Sequence, residues 1–182
     1  MQLTESETNL FFNLYHPLLL FINQEQRIIS DVFTVDGLRS KSSEHLKSLR
    51  TVLFHQPSLF DQFVATNPFH FLHHELEIIN NWKKWLVGRF FIFRETNYYT
   101  VFLSNVRPIR AYGVLPSNAQ FSKIFPDPLP VYIETALLPF KGKIITDGIF
   151  SRFRLEFGRG FVRNLQKSYL EAIDNEGIIT CL

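Results

Sequence analysis

The stretch that most constrains this chain runs from Leu137 to Gly160. There, apolar runs are separated by Lys141-Gly142-Lys143, Asp147-Gly148 and Gly158-Arg159-Gly160. Such spacing reads as short strands joined by tight turns, because glycine reaches positive φ without a steric penalty. The rear half is therefore expected to form an antiparallel unit with basic groups gathered at its turns.

The flanking segments extend that reading. Residues 88–95 are aromatic and β-branched, Thr96-Asn97 reads as a turn, and residues 98–103 return as a second strand. Residues 106–114 suggest a third strand, which Pro108 assigns to an edge. The four prolines within 115–130 point to an ordered surface loop, followed by strands over 131–138, 143–150 and 152–157. A last helix is expected over 161–174, with Val162, Leu165, Tyr169 and Ile173 at helical spacing. Gly177 ends it, and 178–182 are read as rejoining the sheet.

The front half is patterned differently. Thr4 and Glu7 have the spacing of a capping box. Leu10, Phe11, Leu14, Leu18 and Ile22 then recur on one helical face, with Pro17 expected to kink that helix or start another. Residues 32–38, broken by Gly37, read as a loop, and Ser43 as the cap of a helix carrying Leu46, Leu49, Val52 and Leu53. Ser58 restarts helical character, Asn67-Pro68 stops it, and Leu72, Leu76, Ile79 and Trp82 line a further helix.

Helices first and strands later favour an α+β fold over alternating βαβ units. The expected architecture is one compact domain over 1–182, with a mostly helical part at 1–86 and a mostly β part at 87–182. In it, a helical N-terminal layer packs on a twisted antiparallel sheet of five or six strands, or a small half-barrel, with a C-terminal helix. Twenty phenylalanines supply the bulk for such a core. A net charge of +2 argues against broad electrostatic capture of nucleic acid and leaves room for a local basic patch. The single cysteine, Cys181, allows no intrachain disulfide and suits a reducing cytoplasm. The acidic, polar start does not resemble an export signal, and the greasiest stretch, 10–22, is too short and too polar to span a bilayer, so no membrane partner is expected.

Asn67-Pro68, Trp82-Lys83, Gly88 to Arg94, Leu137 to Phe150 and Gly177-Ile178-Ile179 resemble recurring blocks of a family of uncharacterised bacterial proteins. The resemblance covers about two-thirds of the chain, toward its C-terminus. It carries over no activity, cofactor or functional residue.

Four constellations bear on chemistry. On a helix, His70 and His74 would share a face with Glu77 one turn on and His73 nearby, a spacing suited to a divalent metal; solvated polar side chains give the same pattern. Arg152, Arg154, Arg159, Arg163 and Lys167 form a basic strip leading into the last helix, where a phosphate or nucleic-acid backbone would dock. It lacks the glycine spacing of a phosphate loop, and arginines simply solvated, or paired with Glu156 and Glu171, are the plainer reading. Glu134, Asp147 and Glu156 would offer acid–base carboxylates only if their strands converge, and Cys181 is too near the end to read as a nucleophile. On the first hairpin, Phe90, Phe93, Tyr98 and Tyr99 alternate with Arg89 and Arg94, which suits base stacking or simply a packed sheet.

With no reactive set at a spacing that chemistry requires, the sequence favours a cytoplasmic binding protein without cofactor, its partner another protein. Nucleic-acid or nucleotide binding at 152–167 stands second, and a metal-dependent enzyme at His70, His74 and Glu77 third.

Overall fold

The computed structural model describes residues 2–117 and 119–182. Its contacts divide the chain into two compact units. One spans Thr4–Lys83, and the other comprises Lys84–Leu182 with the first residues of the chain. The fold is α+β: helices first, then a mostly antiparallel mixed sheet closed by a ring of hydrogen bonds, then a C-terminal helix.

In the helical unit, α1 (Glu5–Gln26) begins at a reciprocal cap. The Glu7 amide donates to Thr4 Oγ1 at 3.2 Å and the Thr4 amide donates to Glu7 Oε2 at 3.0 Å. No second helix begins at Pro17, and α1 runs through it as one helix. Phe11, Leu14, Leu18 and Ile22 are fully buried along its inner face. The helix stops where Arg27 takes a left-handed conformation, and Asn23 ties down the segment beyond it. Asn23 Nδ2 donates to the carbonyls of Ile29 (3.0 Å) and Val32 (3.1 Å), and its Oδ1 accepts from the Ile29 amide (2.8 Å).

The loop expected over 32–38 instead contains α2 (Val35–Arg39), because Thr34 caps it by accepting from the Gly37 amide. Then come α3 (Ser43–His55), with Ser42 rather than Ser43 at the N-cap position and no side-chain cap bond, α4 (Ser58–Thr66) and α5 (His73–Asn81), with a 3₁₀ turn at Trp82–Lys84. Asn67 ends α4 in a left-handed conformation, and its side chain pairs with both backbone groups of Phe71 at 2.8 and 2.9 Å. That clamp gathers Phe63, Phe69 and Phe71, whose ring centroids lie 6.0–6.1 Å apart. Trp82 is fully buried against Phe11 and Tyr15.

The second unit is built on β1 (Leu86–Glu95), β2 (Thr100–Ser104), β3 (Ala111–Leu115), β4 (Val131–Phe140), β5 (Lys143–Thr146), β6 (Ser151–Phe153) and β7 (Ile178–Ile179). Helix α6 (Phe121–Ile124) interrupts the expected proline-rich loop, and α7 (Arg159–Glu176) starts two residues earlier than its periodicity suggests. The order β1-β2-β3-β5-β4 returns to β1, because β1 is long enough to pair twice. Leu86–Ile92 pair with β4, and Phe90–Glu95 pair with β2 across a bulge near Ile92–Arg94. Strand β6 extends the sheet from β4.

The expected five or six antiparallel strands are thus seven among the described residues, and β3 pairs in parallel with both β5 and β7. The expected half-barrel is a hydrogen-bonded ring. Strand β3 is also not an edge: Pro108 falls in the loop before it, and β3 is buried from Ala111 to Leu115.

Side-chain alternation fills two cores. Inside the ring, Ile92, Phe102, Val114, Ile133, Leu137 and Ile144 meet Phe121 and Phe125, which α6 brings in. On the outer face, Phe91, Val101, Leu103 and Ala111 lie beneath Leu165, Tyr169 and Ala172 of α7. With both faces covered, β2 and β3 are buried at every position.

Candidate partner-binding surface

The basic strip does not act as one patch. Arg152, on β6, is neutralised by Asp127, with Nη2 2.7 Å from Oδ2. Strand β6 ends at Phe153, so Arg154 is not on a shared strand face with Arg152 as the spacing suggests. Lys167 lies a helical distance away, lining a separate polar cleft of about 420 Å³ with Arg107, Asn164, Ser168 and Glu171. What remains are Arg154, between β6 and α7, and Arg159 and Arg163, one turn apart at the start of α7. All three are exposed and form no ion pair among the described residues.

These cations border apolar groups. A cleft of about 350 Å³ runs between Pro128-Leu129-Pro130 and the segment from Arg152 to Phe157, with Val162 of α7 at one side. Its floor is aromatic: Tyr132 stacks on Phe91 at 4.5 Å and meets Phe153 at 5.1 Å, while Phe157 stacks on Phe161 at 4.7 Å. Above that floor Leu155 is 56% exposed, and Leu129 and Phe161 are each 41% exposed. Exposed apolar groups gathered on one face, rather than scattered singly, are what an interaction surface requires. The prolines of 126–130 are legible in the sequence only as a loop; that they face β6 depends on the β4–β6 pairing, which no local signal announces.

The other candidate residues fall elsewhere. His70 precedes α5 with φ 55°, donating its amide to the Asn67 carbonyl, so it does not share a helical face with His74. The helical premise of the metal reading therefore fails at its first residue. Leu72, expected on the buried face, is exposed at the start of the helix, and His73 pairs with Glu77 at 3.4 Å. Among the described residues, no group of three or more His, Cys, Asp or Glu is placed to hold a metal ion.

The carboxylates are separated by strand alternation. Asp147 is buried beside Thr135, whose Oγ1 is 3.2 Å from Asp147 Oδ1, and it accepts from the Ile149 amide, as its turn-forming role predicts. Glu134, one residue earlier on β4, points to the opposite face, with Arg89 at 3.8 Å. Glu156 lines the cleft.

The hairpin aromatics are largely packed. Phe90 lies inside the ring against Phe102 and Tyr112, and Phe93 meets Tyr169 of α7 at 5.0 Å, with Arg94 over the same ring. Burial pushes the Tyr112 hydroxyl above its ordinary pKa, while the Arg110 hydrogen bond and charge act the other way. Tyr98, 71% exposed, is the exception.

No family model matches the chain, and neither curated proteins nor solved structures yield a significant match. Among the described residues, no helix is long and apolar enough to cross a membrane.

Proposed function

We propose that this chain is a binding protein, and that the surface formed by the cleft beside β6 and the first turns of α7 receives an acidic segment of another protein that carries apolar anchors. The observation that carries this reading is the interleaving of exposed Leu155 and Phe161 with Arg154, Arg159 and Arg163, cations that no carboxylate pairs among the described residues. Apolar groups alone would suit many partners. The cleft lining itself holds Glu156 and the Arg152–Asp127 pair, so it is the adjoining cations Arg154, Arg159 and Arg163 that favour a partner with Asp or Glu flanking Leu, Ile or aromatic residues. Aliphatic Leu155 and Leu129 do not stack bases, so the same surface is poorly suited to nucleic acid. A reducing cytoplasm fits a chain whose one cysteine leaves it without an intrachain disulfide.

Selection of peptides from a displayed random library against the full chain tests this. Enriched sequences should combine acidic residues with apolar anchors. Their affinity should fall about tenfold or more in Leu155→Ser, Phe161→Ser, as expected for central apolar anchors. Arg159→Ala, Arg163→Ala should slow association and reduce the salt dependence. Absence of acidic enrichment, or binding indifferent to both double variants, removes the reading.

A further inference from the structure

We infer that a second site, independent of the partner surface, lies between the β2–β3 loop and α7, and that it takes a small hydroxylated anion, a sugar phosphate or a sugar acid. The cleft there has a volume of about 420 Å³, within the roughly 300–1,000 Å³ of small-molecule sites. Most such sites are chiefly apolar, and this one is not. Arg107 lines it from the loop, and Asn164, Lys167, Ser168, Glu171 and Asn175 line it from α7. None of these side chains forms a hydrogen bond or an ion pair among the described residues.

The walls are set by the fold. Asn164, Ser168, Glu171 and Asn175 fall at i, i+4, i+7 and i+11, one stripe along the helix. Leu165, Tyr169 and Ala172 anchor α7 in the outer-face core and so fix where that stripe stands. The loop is closed at its base: the Ser104 amide donates to the Arg110 carbonyl (3.0 Å), and the Arg110 amide donates to Ser104 Oγ (2.9 Å). Ser104 Oγ also donates to the Val106 carbonyl (3.3 Å), and Ile109 packs on the same core as α7. Arg110 Nε then meets Glu176 Oε2 at 3.1 Å, which ties the end of the loop to the end of the helix. Lys167 and Glu171 stand four residues apart yet form no ion pair, and a pair at that spacing is worth little in water, so a ligand displaces little by engaging both.

The lining selects the ligand. An apolar molecule would strip water from these polar groups and return no hydrogen bond. Two cations against one carboxylate call for a negative charge, and the Arg107 guanidinium can hold a carboxylate or a phosphate through two parallel bonds. The Glu171 carboxylate needs a donor. Asn164, Ser168 and Asn175 each donate and accept, as a hydroxyl does, whereas an ammonium only donates. A polyol with one anionic group therefore answers every member of the set, and an amino acid does not. Pro108, Ile109 and Ala172 add an apolar strip for the C–H face of such a molecule.

Isothermal titration calorimetry of the full chain with glucose 6-phosphate and with gluconate tests this and separates phosphate from carboxylate. The tighter of the two names the anion, and equal affinities admit both. Glucose should bind about tenfold or more weakly than the better anion, since it leaves Arg107 and Lys167 without a counter-charge. Arg107→Gln with Lys167→Gln should weaken the better anion by a similar factor. Asn164→Ala with Asn175→Ala should cost about tenfold, as for two neutral hydrogen bonds. All four residues are exposed, so both double variants should melt as the native chain does. The site is overturned if neither anion binds, if glucose binds as tightly as both, if inorganic phosphate or acetate matches the better anion, or if affinity is unchanged in the two double variants. Leu155→Ser, Phe161→Ser should leave these titrations as they are, because the two clefts share no lining residue.

Discussion

The helical unit and the sheet unit differ in how most of their polar groups are satisfied, although Asp147 and Thr96 close turns locally in the sheet unit too. Over Thr4–Lys83, side chains near in sequence close the loops: Thr4 with Glu7, Asn23 with Ile29 and Val32, Thr34 with Gly37, Asn67 with Phe71. Over Lys84–Leu182, the backbone is satisfied by strand pairings that join distant residues, and Arg154, Arg159 and Arg163 are left exposed with no ion pair among the described residues. The difference teaches where to look for function. Exposed apolar side chains occur in both units, Phe33 in the helical one and Tyr98, Leu155 and Phe161 in the sheet one, so it is the group of Arg154, Arg159 and Arg163 beside Leu155 and Phe161 that sets the sheet unit apart.

The contrast breaks first at Asn23. It is only 3% exposed and serves three backbone groups of the segment after α1. Asn23→Ala leaves those groups buried and unpaired, and the expected loss is about 3 kcal/mol. Urea unfolding measures the loss, and hydrogen exchange should show amide protection falling over 27–32. An unchanged midpoint would mean that helix packing, not the local clamp, holds this loop.

These clamps also explain what was legible. The Thr4–Glu7 box and the Asn67-Pro68 stop are local chemistry and stand in the sequence as they stand in the fold. Thr34-x-x-Gly37 was there too, but a glycine three residues past a threonine reads as a breaker until the cap is seen. In the rear half, the turns were visible because positive φ selects glycine at Gly142, Gly148 and Gly177. Strand partners were not. Nothing near Val114 says that it pairs in parallel with Ile144, and nothing near Pro108 says that β3 starts beyond it at the centre of a ring. The candidate surfaces obey the same rule. Arg154, Arg159 and Arg163 could be found as a run, whereas Leu129 and Leu155 come to one cleft only through the pairing of β4 and β6.

A smaller effect sharpens the helical side of the comparison. His16 on α1 accepts at Nδ1 from Arg39 Nε at 3.2 Å and stacks on Phe12. Arg39 also reaches Asn13 and Asp36. Burial first, and then the Arg39 charge, lower the His16 pKa from 6.5 to about 4. Between those values the unfolded chain binds the proton that the folded chain refuses, so stability rises with pH. This contribution is complete above pH 6.5 and is lost progressively as pH falls toward about 4. Melting temperatures of the native chain should therefore fall more steeply over this window than those of His16→Gln, which cannot take up the proton. Parallel curves would mean that His16 titrates alike in both states.

The smallest expected effect lies on the sheet side, and its smallness is the point. Leu155, Arg159 and Arg163 are exposed and are not built into either core of the sheet unit. Truncating them removes little that folding uses, so Leu155→Ser, Arg159→Ala and Arg163→Ala should each shift unfolding by less than about 0.5 kcal/mol. Denaturant midpoints of the three variants check this against Asn23→Ala in the same buffer. A loss above about 1 kcal/mol at any of the three would make that residue part of the framework, since exposed positions free of structural duty do not cost that much. These exposed side chains would then be structural after all, and the contrast between locally closed turns in the helical unit and exposed cations in the sheet unit would have to be redrawn at that residue.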